Sequence, residues 1–276
     1  MITGRTRVIA HLGYPTEAFK APMIYNPWFE ANAIEAVVVP MGVTPADYPT
    51  LLRQLFQITN LHGALVTMPH KVVTATLVDE LTPTARIAGA ANAILRRTDG
   101  TLLGDMFDGT GFVRGMEHKG RLAKGASALV IGTGGVGSAI AASLAAAGLT
   151  KLALYDTNPA SAEALAARLQ THYPAVAVST GTNDPAGIDI VVNGTPLGMR
   201  ETDALPLDPA RLDPTTFVGE VVMKQDITPL LAAAAAKGCR IQLGTDMLFE
   251  MIPAYLEFFG FGTATAAALR RHAQLT

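Results

Sequence analysis

The sequence predicts an α/β protein of two domains. Three observations lead there: the length, an alternation of short apolar runs with amphipathic stretches in the first part, and a second such series opening on a glycine cluster. At 276 residues the chain exceeds the usual size of one hydrophobic core, so two compact units are expected. The runs Val8 to Leu12, Ala36 to Met41 and Gly63 to Val66 read as strands, and Pro45 to Leu61 as a helix between two of them. Strand and helix in turn imply a parallel sheet.

The second series begins at Ala126 with ASALVI, followed by glycines, an Ala/Leu-rich helix, the strand LALY, and later AVAVST, IDIVVN, FVGEVV and RIQLG. This order reads as a doubly wound nucleotide-binding sheet. The polar segment Arg121 to Gly125 sits near the boundary between the series, and the apolar stretches beyond Gly244 read as terminal helices that must pack on one of the domains.

Composition narrows the function. Hydrophobic residues make up 49% and charged residues 16%, and a net charge of -2 offers nucleic acid or anionic lipid little attraction. Cys239 is the only cysteine, so no internal disulfide forms and a reducing cytoplasm is expected. The six histidines are scattered without metal-ligand spacing, so no metal is expected. No apolar run is long enough to span a bilayer, and the amino terminus carries no targeting pattern, so a soluble protein is expected. A monomer and a homodimer both satisfy the pattern of apolar faces.

Gly132, Gly134 and Gly137 form G-x-G-x-x-G between a strand and a helix, the context this motif requires. The first glycine permits the tight turn, the second lets backbone approach a pyrophosphate, and the third allows close packing of the helix. The loop Gly132-Thr133-Gly134-Gly135-Val136-Gly137 is therefore a candidate dinucleotide site at a helix amino terminus. Asp156 follows about 20 residues later at a strand end, where a carboxylate accepts the adenine ribose hydroxyls and repels a 2′-phosphate. Thr157, Asn158 and Pro159 come next and supply no arginine, so NAD is expected over NADP. The competing role for Asp156 is a turn-forming aspartate.

Lys71, Asn92 and Asp108 stand near strand ends in the first series. Singly they suit a helix start, a turn and a helix cap. In order, V-T-x-P-x-K, G-A-x-N, D-G-x-x-x-G-D-x-x-D-G, G-x-G-G-x-G-x-A and N-x-T-x-x-G-M resemble the shikimate dehydrogenase family across nearly the whole chain. Gly13, Pro15, Pro22, Asn26, Thr228, Leu230, Leu231, Gly244, Met247 and Leu248 extend the resemblance.

That resemblance implies a substrate domain of 1–108 plus 246–276, the last helices returning to it, and a Rossmann-type domain of 109–245. It implies Lys71 and Asp108 as the acid/base pair, Asn92 and Thr67 as substrate contacts, and Asn193, Thr195 and Gly244 beside the cofactor. Which of Lys71 and Asp108 carries the proton stays open.

The substrate positions depart from the family. Its S-x-S-P element, which holds a carboxylate, is here Phe19-Lys20-Ala21-Pro22, and both hydroxyls are gone. Leu65 stands for an asparagine, Met106-Phe107 for an N-T pair, Met223 for a tyrosine and Met251 for a glutamine. Lys20 or Tyr25 could supply a donor, while the methionines could instead fill a core. A site that has lost these partners should bind shikimate weakly. Alternatives are a quinate or amino-shikimate dehydrogenase and a non-catalytic NAD-binding regulator; retention of Lys71, Asn92 and Asp108 argues against the last. His70, beside Lys71, is expected to be structural.

Overall fold

A computed structural model describes residues 2–200, 202–225 and 227–275. Contacts divide the chain into 1–107 with 252–276, and 108–251. The first unit comprises β1 (Arg7–Gly13), α1 (Pro22–Ala31), β2 (Ala36–Gly42), α2 (Tyr48–Leu55), β3 (Leu61–Val66), α3 (Lys71–Leu77), β4 (Glu80–Leu81), α4 (Pro83–Ala88), β5 (Ala93–Arg96) and β6 (Leu102–Asp105).

Its sheet runs β2-β1-β3-β5-β6-β4. The expected parallel arrangement holds for β2, β1 and β3 and for β4 beside β6; β5 alone runs the other way, antiparallel to both β3 and β6. The short turn Thr98–Gly100, with Gly100 at φ +86°, returns the chain directly, whereas a parallel neighbour needs a long crossover. The expected helix over 45–61 shrinks to α2: Pro49 lies in its first turn, where the ring is tolerated, and the polar turn after Phe56 ends it before β3. Ala10, Leu12, Leu61, Ala64 and Val66 cover one sheet face with Tyr48, Leu52 and Phe56, a core sealed from water.

The second unit holds α5 (Asp108–His118), β7 (Ser127–Ile131), α6 (Gly135–Ala146), β8 (Lys151–Tyr155), α7 (Pro159–His172), β9 (Ala177–Thr180), β10 (Ile190–Asn193), β11 (Phe217–Glu220), α8 (Pro229–Ala236), β12 (Arg240–Gln242) and the start of α9 (Gly244–Phe258). All six strands are parallel, in the order β12-β11-β10-β7-β8-β9. The order reverses between β7 and β10, and the loops leaving those two strands flank the crevice where such sheets bind ligands. The segment Arg121 to Gly125 lies inside this unit, joining α5 to β7, rather than at the boundary. Glycines bring its helices together: a Cβ on Gly109 would overlap the Ala139 carbonyl, and one on Gly111 would lie 2.6 Å from Met251 Cβ.

The rest of α9 and α10 (Ala266–His272) belong to the first unit, where the Gln274 N–H donates to the Met23 carbonyl and Trp28 meets the His272 ring at 5.6 Å. Among the described residues no helix is long and apolar enough to cross a membrane.

Candidate active site

In the first unit, antiparallel pairing gathers the candidate substrate residues at one sheet edge. The carboxyl ends of β1, β3 and β6 and the amino end of β5 share that edge, because Leu65 faces Ala93 and Ala93 faces Asp105. Backbone bonds then fix the loops. Thr67 N–H donates to the Leu12 carbonyl (2.9 Å), Val66 N–H to that of Asn92 (2.8 Å), Tyr14 N–H to that of Met68 (3.0 Å), and Ala91 N–H to that of Lys71 (2.9 Å). Gly13 must lack a side chain here, since a Cβ would overlap Thr67 Cγ2 and lie 2.7 Å from the Phe19 ring.

Lys71 begins α3, half-buried, immediately after His70. His70 is structural: its Nε2 meets the Val43 carbonyl at 2.8 Å and its ring stacks on Tyr48 at 4.0 Å. Asn92 is buried, and its Oδ1 accepts the Phe107 N–H at 3.0 Å. Asn92 Nδ2 is buried without a partner, a donor that a bound ligand could use. Phe107 packs edge-on against Tyr255 and Phe258, while Met106 is fully buried in the core. Tyr25 and Ala21 are buried on and before α1, Leu65 is buried in β3, and Thr67 and Phe19 are half-buried. Burial raises the Tyr25 phenol well above its ordinary value, so it stays protonated.

Asp108 opens α5 in the second unit and is 1% exposed. Met223 lies half-buried after β11, and Met251 is half-buried in α9 with its Cβ over Gly111, so the backbone-proximal part of Met251 serves helix packing.

The glycine loop fits a dinucleotide. Gly132 has φ +89°, which disfavours any residue with a side chain. A Cβ on Gly137 would overlap Gly132 O, whereas one on Gly134 would meet nothing within 4 Å. Gly134 caps α6 without a side-chain bond, and helical geometry leaves the first-turn N–H groups at Gly135, Val136 and Gly137 to face an anion.

Asp156 Oδ2 accepts from Thr133 N–H (2.7 Å) and Thr133 Oγ1 (2.9 Å), and Oδ1 accepts from Asn158 N–H (2.9 Å). The turn-forming role considered for Asp156 is thus present. Burial alone would raise its pKa, but these bonds and the Thr157 hydroxyl outweigh that and hold it below the ordinary value. An ionised carboxylate stands beside the loop.

Asn193, fully buried, spends its amide on the next loop: Oδ1 accepts from Thr195 N–H (3.1 Å) and Oγ1 (2.6 Å), and Nδ2 donates to the Leu197 carbonyl (2.9 Å). Gly244 is steric, since a Cβ there would overlap the Val222 carbonyl. Among the described residues no cluster of His, Cys, Asp and Glu could hold a metal ion.

Among the buried polar side chains that escaped the sequence reading are His11 in β1 and Glu220 at the end of β11. The available signal was a lone polar residue within each apolar run. Glu220 Oε2 accepts from Thr228 Oγ1 at 2.8 Å; burial pushes its carboxyl up to about 7, against the Thr228 hydroxyl and the Asn193 amide, which lower it.

Residues 12–94 match the family model of the shikimate dehydrogenase substrate binding domain. The chain is 35% identical over 262 residues to the shikimate dehydrogenase (NADP(+)) of Paramagnetospirillum magneticum, covering 94% of this chain and 95% of that protein. A shikimate 5-dehydrogenase from Listeria monocytogenes, solved with shikimate and NAD, superposes with a TM-score of 0.89 at 25% identity, covering 98% of this chain and 97% of the other. Quinate dehydrogenase from Corynebacterium glutamicum, solved with NAD, gives 0.85 at 28% identity, covering 97% and 98%. Sequence identity over nearly the full length, the matched domain and the shared architecture agree, and the chain belongs to the shikimate dehydrogenase family of oxidoreductases.

Proposed function

We propose that this protein is an NAD-dependent dehydrogenase of a ring secondary alcohol related to shikimate, with weak activity on shikimate itself. The observation that carries the cofactor reading is the ionised Asp156, held beside the glycine loop by Thr133 and Asn158. Its remaining acceptor capacity suits the ribose hydroxyls, and its charge opposes a 2′-phosphate with no arginine following it. The Listeria and Corynebacterium neighbours, both solved with NAD, favour the same reading, although the Paramagnetospirillum relative is named for NADP(+).

The first-turn N–H groups of α6 would hold the pyrophosphate, and Asn193 and Thr195 would shape the loop beside it. The chemistry that NAD would supply there is a hydride acceptor for the alcohol carbon. Lys71 and Asp108 would form the acid/base pair for the hydroxyl proton, and the lysine ammonium would stabilise alkoxide character. Asn92 Nδ2 would hold the substrate by a hydrogen bond.

Substrate drift rests on Phe19, Ala21 and Leu65, which offer a carboxylate no donor from their side chains. The Corynebacterium neighbour makes quinate the second alcohol to test. Reduced cofactor formed from shikimate and quinate is to be measured with NAD and NADP in parallel. NAD-linked turnover with poor saturation by shikimate is expected, and Lys71→Met should abolish it while leaving NAD binding intact. Undiminished turnover in Lys71→Met removes the acid/base assignment, and a low Michaelis constant for shikimate removes the substrate drift.

A further inference from the structure

His11 lies where the altered substrate positions meet. In the β1–β3 register it is the partner of Leu65, and its ring lies 4.1 Å from that of Phe19. These are two of the positions where hydrogen-bonding side chains have given way to apolar ones. Lys71 is close enough for its charge to act on the imidazole. His11 is 8% exposed, and Nδ1 is buried without a partner.

A histidine kept only for packing should not leave a buried ring nitrogen unpaired; in the same unit His70 pairs its Nε2 with the Val43 carbonyl. An unpaired buried ring nitrogen carries a desolvation penalty that a bound hydroxyl would remove. Resting on the reading of this site as a ring-alcohol dehydrogenase, we infer that His11 is a specificity-determining residue whose imidazole hydrogen-bonds a hydroxyl of an uncharged polyhydroxylated alicyclic substrate.

The chemistry of the ring selects that class. Burial, and then the Lys71 charge, hold the His11 pKa down to about 4, so at neutral pH the imidazole brings no positive charge to a carboxylate. A neutral imidazole has one donor and one acceptor nitrogen; a hydroxyl both gives and takes a hydrogen bond and so satisfies Nδ1 in either tautomer, whereas a carboxylate only accepts. The Phe19 ring beside the imidazole would offer apolar surface to the C–H face of such a ring. Phe19, half-buried on the loop between β1 and α1, lies tilted beside the imidazole.

Calorimetric titration at neutral pH, with NAD present and absent, tests this with shikimate and its uncharged methyl ester as probes. The ester should bind more tightly than the acid. His11→Phe, which keeps the aromatic contact and volume, should weaken the ester by about tenfold or more, the scale of one lost buried hydrogen bond. His11→Asn, whose amide replaces the ring nitrogen, should recover most of that loss. Tighter binding of the acid, equal ester affinity in His11→Phe, equal losses in both variants, or no binding of either probe overturns the proposal. Turnover separates it from the reading beneath it. Ester binding that depends on His11 without any turnover leaves His11 in place and removes the dehydrogenase; turnover that needs Lys71 with binding indifferent to His11 does the reverse.

Discussion

The glycine loop can be tested by adding one methyl group at either of two positions. At Gly137 a Cβ would overlap Gly132 O and lie 2.9 Å from Gly132 C, both backbone atoms. Neither can yield cheaply, because Gly132 N–H is tied to the Tyr155 carbonyl (2.8 Å) and Ser138 Oγ to that of Thr133 (2.8 Å). Gly137→Ala should therefore cost at least the about 1–3 kcal/mol of an overpacked core, lowering Tm by about 2–4 °C for each kcal/mol in a chain of this size. At Gly134 the backbone is extended (φ -67°, ψ -172°) and a Cβ would meet nothing within 4 Å. Gly134→Ala should cost at most about 1 kcal/mol of capping, yet its methyl would stand where backbone must approach the pyrophosphate. Thermal melts and calorimetric NAD titrations on both variants should show lost binding in each, with a large fall in Tm only for Gly137→Ala. NAD binding in Gly134→Ala equal to that of the unmodified protein, or an unshifted Tm in Gly137→Ala, would refute the reasoning.

Asp156→Ala removes a charge-assisted acceptor worth about 1.5–3 kcal/mol, so the Michaelis constant for NAD should rise by roughly tenfold to a hundredfold. The constant for NADP should fall relative to it, and an unchanged ratio in parallel assays would show that Asp156 does not discriminate. Glu220 gives a pH signature: its folded pKa of about 7 lies above the ordinary 4.5, so within that window the folded state keeps a proton the unfolded state has released, and stability falls as pH rises. The deficit, complete above the folded value, amounts to at most about 3 kcal/mol. Glu220→Gln should flatten it, which denaturant melts across the window would reveal as a gain over the unmodified protein confined to the higher pH.

Much of the second unit was legible because its chemistry is local. Gly132, Gly134 and Gly137 are dictated by a strand, a turn and a helix adjacent in sequence, and Asp156 closes the next strand of the same motif. The first unit was less legible. Alternating apolar runs do not distinguish a parallel from an antiparallel neighbour, so the reversal at β5, which carries Asn92 to the ends of β3 and β6, was missed. His11 looked like one polar residue in an apolar strand. Its neighbours Phe19 and Leu65 lie on other segments, and only the folded chain puts them against it.

The order of residues along the chain was enough to set out the chemical groups at hand: a glycine-rich turn at a helix start, an aspartate after the next strand, and a lysine, an asparagine and a second aspartate in a family's order. The tertiary structure decided which of those groups remain free to act. Asn193 spends its amide on a loop, Met106 disappears into the core, and Asn92 and His11 each keep a buried polar atom without a partner. Hydrogen-bond satisfaction depends on atoms brought together from distant parts of the chain, and one-dimensional spacing does not carry that information.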